Sequence, residues 1–406
     1  MPNTILTDTK VTREALRILH QKLNFIGSIN RQYDDSYAKK GAKIGSDLKV
    51  RLPNKYVVRT GRVMDVQDTE EESVTLQVTN QKGVDINFTS ADLTLSLDDF
   101  SKRILDPAMS VLAANIEADA ISMYKDIYNE VSDVGATATT AFVLGVGKKL
   151  TDNLAPVGKR TLNLNTKDNL DLVEALKGLF NPTGNLSKIY KEGMVAANFL
   201  GFEEVFQNTH WPLHVTGTET SNTYLTDIAA GEANGSAGSL HVDTGTTTFK
   251  KGDIIAIESV FRVHPETKAD TGELQKFVVT ADYAGGEGDL AISPNITATG
   301  PKQNVTAAAV DGKIIYKRES DDSTAIGASA DYRISMGYHE DAFTFATADL
   351  LMPDGVDFKA REVFDGISMR IVRQYDINND KLPCRIDVLY GYKTLRPELA
   401  CRLGLN

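Results

Sequence analysis

Residues 216–337 differ in character from the rest of the chain, and that difference limits the folds open to it. Here the helical period disappears, Gly, Thr and Ala dominate, and short β-favouring runs alternate with turn signals. The runs cover residues 254–257, 261–263, 277–279, 290–292 and 314–316, punctuated by Lys251-Gly252-Asp253, Gly285-Gly286 and Ser293-Pro294. Such spacing predicts a small β-barrel. Strand-like runs resume at residues 343–351, 369–374 and 385–389, so the barrel is expected to be inserted within a larger domain. The Gly/Ala/Ser stretch at 229–239 reads as a loop.

The flanking sequence mixes both periods. Leu16, Leu19, Leu23 and Ile26 recur at helical spacing behind Thr12, a suitable cap, and predict an amphipathic helix over 11–26. From 44 to 97 the pattern alternates instead, through Leu48, Val50, Leu52 and then Val74, Leu76, Val78, around an acidic tip at 65–72. This predicts a long two-stranded ribbon. An isolated ribbon is marginal in water, so this arm is expected to lie on a neighbouring subunit. Its charged groups Arg51, Arg59, Arg62, Glu70, Glu71 and Glu72 are the candidates for contact between subunits. The alternative is solvated charges worth under about 1 kcal/mol each.

The clearest helical stripe is Phe100, Ile104, Leu112, Ile116, Ala120, Met123 and Ile127. Proline suits a first turn and Asp106 can cap it, so Pro107 predicts a short helix to 105 and a long one over 107–129. A further helix is expected over 167–180, with Thr166 as cap, Leu170, Val173 and Leu176 as its core face, and Asn181-Pro182 ending it. The fold class is α+β.

At 406 residues the chain can hold two to three domains at roughly 150 residues each. Forty-four Lys and Arg against 55 Asp and Glu leave a net charge of −11, which argues against a dedicated nucleic-acid binder. Cys384 and Cys401 are the only cysteines, so a reduced compartment is expected rather than a disulfide framework. No basic start precedes an apolar run, and no apolar stretch approaches the roughly 20 residues that span a bilayer; the expectation is a soluble protein, neither exported nor anchored.

Sites for chemistry are sparse. Gly145-Val146-Gly147-Lys148 lacks the upstream glycine and the Ser/Thr of a phosphate loop. His210 and His214 stand four apart, but Trp211-Pro212 breaks the helix that would align them. Asp376, Asn378 and Asp380 open like a calcium loop, yet Lys381 occupies the position that needs glycine. Glu203-Glu204 and Asp321-Asp322 are adjacent pairs that read as solvated surface. Cys384 and Cys401 read as buried, inert thiols. No catalytic, cofactor or metal constellation is expected, and therefore no enzyme.

Several stretches together resemble the major capsid (coat) protein of tailed bacteriophages, specifically the Salmonella podophage coat family with an inserted domain. They are Gly201-Phe202-Glu203-Glu204-Val205 followed by Pro212 and His214; residues 249–255 through 265–268 to 277–279; and Leu382-Pro383-Cys384-Arg385-Ile386, Tyr390-Gly391 and Leu395-Arg396-Pro397-Glu398. The resemblance implies an amino-terminal arm at 1–47, an extended loop at 48–95 and a spine helix and peripheral domain at 96–136. It further implies a shell-forming body from 137–215 and 338–406, with the inserted barrel at 216–337. Hexamers and pentamers of an icosahedral shell around double-stranded DNA would follow, with scaffolding protein and portal as partners. The shorter Gly/Ala-rich loop at 229–240 departs from relatives that carry acidic residues there to contact a subunit across a two-fold axis. The net charge of −11 is compatible with a container whose wall does not grip DNA. The rival reading is a β-rich virion or tail-associated binding module, with a hydrolase a distant third; neither the repeats of a tail fibre nor a clustered acid/base pair is present.

Overall fold

A computed structural model describes residues 8–34, 47–64, 66–68, 71–88, 105–176, 199–218, 224–228, 232–317, 331–364, 367–377 and 382–405. The chain begins with α1 (Asp8–Lys22), β1 (Asn30–Asp34), β2 (Asp47–Arg51), β3 (Ser73–Gln77), β4 (Asn80–Phe88) and α2 (Asp106–Ile121). It continues through β5 (Glu130–Ser132), α3 (Thr140–Asp152), β6 (Arg160–Leu164), α4 (Thr166–Leu176), β7 (Glu204–Gln207) and β8 (Leu213–His214). Then come β9 (Ser239–Val242), β10 (Ile254–Val263), β11 (Asp270–Val279), β12 (Gly288–Ser293) and β13 (Ile315–Lys317). The last strands are β14 (Tyr332–His339), β15 (Phe343–Ala348), β16 (Phe358–Phe364), β17 (Ile367–Arg373), β18 (Leu382–Thr394) and β19 (Ala400–Leu405). No helix among the described residues is long and apolar enough to cross a membrane.

The chain divides into two compact units, the first drawn from residues 1–52, 73–121 and 343–395, the second from 53–72, 122–342 and 396–406. In the first unit a six-stranded sheet runs β1-β15-β18-β17-β16, with β4 also on β18. At 13 residues β18 is long enough to pair β4 over 382–390 and β15 over 389–394. Among the described residues the two-stranded ribbon stem consists of β2 and β3, where Leu48 faces Leu76 and Val50 faces Val74. β4 leaves the ribbon because its alternating Val84 and Ile86 find Ile386 and Cys384 as cross-strand partners.

α1 buries Leu16 and Leu19 as expected, with Leu23 buried just past its end at Lys22, short of the expected 26, but it begins at Asp8, and Thr12 lies inside it, fully buried, rather than capping it. The Glu117 carboxylate of α2 is buried and accepts from the Asn24 and Phe25 amides, both at 2.9 Å, pinning the turn after α1 to that helix. α2 buries Leu112, Ile116 and Ala120, yet regular α-helix stops at Ile121 and tightens into a 3₁₀ turn over Ser122–Asp126, short of the expected 129. The short helix expected before 105 lies outside the described residues up to 104.

The second unit holds two sheets. One runs β5-β19-β14-β6-β7, with β8 also on β14; the other runs β13-β10-β11-β12-β9. In the latter, Leu225 bridges to Ile314 beside β13 and Thr226 to Val242 of β9, so residues 225–226 join both edges of the five-stranded sheet. Its core comprises Leu240, Val242, Ile255, Ile257, Phe277, Val279, Leu290 and Ile315, all buried. In α4 the cap is Asn165, whose Oδ1 accepts from the Asp168 amide at 2.8 Å, rather than Thr166. Asn165 Nδ2 and Ser335 Oγ both donate to Asp168 Oδ2, which turns Asp168, Leu172 and Leu176 inward and leaves Leu170 62% exposed, contrary to expectation.

Candidate assembly surfaces

Beyond the stem, residues 53–64 and 66–68 form an open strand-poor loop. The Val57 amide donates to Gln67 Oε1 at 2.9 Å, and Gln67 Nε2 returns a bond to the Val57 carbonyl at 2.6 Å. Arg59 folds back onto the carbonyls of Gly61 and Val63. Its guanidinium is therefore engaged within its own tip. Arg51 lies exposed on β2, and Arg62 and Glu71 are exposed on the ribbon. Glu72 pairs with Lys302 at 2.6 Å, while Glu70 lies outside the described residues. A cavity of about 360 Å³ opens beside that pair, between Pro53, Lys55 and Gln67 on one side and Thr297, Thr299 and Pro301 on the other.

The apolar residues of this loop were missed by a reading that looked for charge. Val58 is 90% exposed, Val63 85%, Met64 76% and Val66 72%. Scattered exposed apolar residues are ordinary, whereas several within one short loop mark a surface that something else covers. Their clustering in sequence was the available signal.

A second feature is a buried polar knot joining β8, the turn before β10, β13 and the carboxyl-terminal strand. Asp253 is fully buried. Its Oδ1 meets His214 Nε2 at 2.9 Å, while its Oδ2 accepts from the Gly217 and Lys250 amides at 3.0 and 2.9 Å. Lys317 Nζ stands 3.5 Å from Oδ2 and donates to the Gly217 carbonyl at 2.6 Å. Burial alone would raise the Asp253 carboxyl, but the bonds from His214, Lys317 and the two amides outweigh it and hold the group below its ordinary range. His214 Nδ1 meets the Tyr124 hydroxyl at 3.0 Å, and burial pushes that phenol up to about 12. Arg402 of β19 donates from Nη1 to the Gly252 carbonyl at 2.8 Å. Gly252 has φ +100°, and a Cβ there would press within 3.1 Å of His214, so glycine suits this turn on both counts.

This geometry is structural. His214 serves the knot, and His210 takes no part in it, its amide donating instead to Asn208 Oδ1. Gly145–Lys148 lies inside α3, and Lys148 and Lys149 both donate to Glu273 of β11, whose carboxyl they hold down at about 2 against the opposing effect of burial. The Glu203 carboxylate accepts from the Lys159 amide. Burial pushes the Cys384 and Cys401 thiols up to about 12, so neither is a nucleophile at neutral pH. Asn378, Asp380, Asp321 and Asp322 lie outside the described residues.

Over residues 26–403 the sequence matches the family profile described as P22 coat protein, gene protein 5. The chain belongs to the P22 coat protein family. It is a major capsid protein, a building unit of the icosahedral shell of a tailed bacteriophage. No curated protein matches it. Among solved structures, one described as Mycobacterium phage Che8 aligns at 12% identity, covering 94% of this chain and 90% of that one, with a TM-score of 0.46. The mature capsid of bacteriophage PhiM1 aligns at 11% identity over 95% and 87% of the two chains, with a TM-score of 0.44. Family membership of this coat protein rests on the sequence match.

Proposed function

We propose that this coat protein assembles as hexamers and pentamers into a shell that encloses double-stranded DNA, passing first through a scaffolded procapsid in the host bacterial cytoplasm. Scaffolding protein and portal are its partners, it acts without catalysis, and it uses no membrane. The exposed apolar set Val58, Val63, Met64 and Val66 carries this reading. Each valine left in water forfeits roughly 1.5 kcal/mol or more of burial, which a neighbouring copy can recover. Arg51, Arg62 and Glu71 are the exposed ribbon charges that would steer such docking, and Arg59 and Glu72 would exchange their present partners for those on a neighbouring copy. The domain division in this proposal is an arm at 1–47, an extended loop at 48–95, a spine at 96–136, a body from 137–215 and 338–406, and an inserted barrel at 216–337. The bridging of both sheet edges by Leu225 and Thr226 supports that last element.

The test is expression of the full chain, alone and with a candidate scaffold, followed by sedimentation and negative-stain electron microscopy. Closed shells or ring-shaped capsomers are expected. Val58→Asp combined with Val63→Asp is expected to leave soluble, folded subunits that no longer close shells. A stable monomer or trimer from the unaltered chain under both conditions overturns the reading, and normal shells from the double variant overturn the role of the ribbon.

A further inference from the structure

One corner of the five-stranded sheet gathers carboxylates around a single imidazole. His241 on β9 stands directly across from Asp289 on β12, and its Nδ1 meets Asp289 Oδ1 at 2.7 Å. A carboxylate only accepts, so Nδ1 carries the proton, and the neutral ring presents its lone pair at Nε2. That Nε2 atom is sealed from solvent and has no hydrogen-bond partner. Glu232 Oε1 stands 3.8 Å from it, beyond hydrogen-bond reach. One ligand atom each from Asp227, His241 and Glu287 can be chosen so that all lie within 4.8 Å of one another.

We propose that Asp227, His241 and Glu287 form a binding site for a divalent transition metal, with zinc the fitting ion. Several observations converge on a cation. A protonated ring would aim an Nε2–H among carboxylates too distant to accept it, and a neutral ring would aim a lone pair at negative charge. A dication satisfies the nitrogen and the carboxylates together. Asp289 supplies the outer partner that metal-binding histidines use to fix their tautomer. One imidazole with carboxylate oxygens suits zinc better than calcium, which takes six or more oxygens.

The placement gives the site a purpose. Asp227 follows Leu225 and Thr226, the residues that join both edges of the sheet, and its amide donates to the His241 carbonyl at 3.2 Å. Glu287 precedes β12. An ion held by these residues would fasten the closing segment to β9 and to the turn entering β12, reinforcing the place where isolated bridges join the edges of the sheet.

The experiment uses the full-length chain, stripped with a chelator and titrated with zinc chloride alone by calorimetry, with thermal melting in parallel. One equivalent of zinc per chain and a raised melting temperature are expected. His241→Ala is expected to lose at least about tenfold in affinity, and Asp289→Asn about 10–100-fold, as for other outer-shell partners. Glu287 and Asp289 are exposed, so Glu287→Gln and Asp289→Asn keep the test decisive if His241→Ala does not fold. Absence of saturable zinc binding overturns the site. So does binding that survives Glu287→Gln and Asp289→Asn unchanged, or calcium binding of equal strength in the same variants. None of these outcomes depends on shell assembly.

Discussion

The ribbon loop and the five-stranded sheet are built from the same kind of residue and end in opposite states. Val242, Ile255, Ile257 and Val279 of the sheet are fully buried, while Val58 and Val63 of the ribbon are 90% and 85% exposed. The sheet strands find partners along their length, and residues 225–226 join the two outer edges. In the loop, a pair of bonds between Val57 and Gln67 and the folded-back Arg59 hold the backbone but cover no apolar face. β-branched residues thus finish a fold in one region and advertise an unfinished surface in the other. On the proposed reading of the ribbon, the second state would store burial free energy for the moment of assembly.

The contrast can be broken by substitution. The largest effect is expected for Phe277→Ala, which empties the centre of the sheet and should cost about 3–5 kcal/mol in denaturant unfolding of the subunit. A loss under about 1 kcal/mol would mean the sheet is not closed around that ring. Asp253→Ala strands Lys317 in the interior and should cost a similar 3–5 kcal/mol or so, measured the same way. Recovery in the double variant Asp253→Ala with Lys317→Met would sharpen the point, since the charges rather than the space would then be responsible.

A smaller, pH-dependent effect concerns Glu273. Its carboxyl is held at about 2 against an ordinary 4.5. A lowered carboxyl contributes stability in full above its ordinary value and loses it as pH falls through the folded value. Melting temperatures of the unaltered protein should therefore drop more steeply from pH 4.5 to 2 than those of Glu273→Gln. Parallel curves would show that the Lys148 and Lys149 bonds contribute nothing. The smallest effect is expected in the ribbon, where Lys302→Ala removes a half-exposed pair with Glu72 and should change subunit stability by no more than about 1 kcal/mol. A larger loss would show the ribbon to be anchored to its own chain.

Much of the fold was legible. β-favouring runs between turn signals placed strand at 254–257 and 261–263, which the structure joins into one strand, and at 277–279 and 290–292, while helical spacing found the stripe Leu112, Ile116 and Ala120. Caps were not legible, because Thr12 and Thr166 are good capping residues by type but the helices start according to which amide finds an acceptor, Asn165 in the case of α4. Leu170 was misjudged for a related reason. The buried bonds of Asp168 to Asn165 and Ser335, the latter 167 residues away, rotate the helix against its apolar periodicity. The ribbon charges were visible, yet the exposed valines beside them were not, since an exposed and a buried valine look alike until their surroundings are known.

By itself the sequence determined the periods, the punctuation by Gly and Pro, the absence of recognisable catalytic motifs and the family to which the chain belongs, because these are local or statistical properties of residue order. Only the tertiary structure decided that Asp253, His214, Lys317 and Tyr124 share one buried knot. Only it brought Asp227, His241 and Glu287 to one corner. The physical reason is that hydrogen bonding and desolvation act over a few ångströms of space, and residues 39 or 90 positions apart become neighbours only after the sheets have paired.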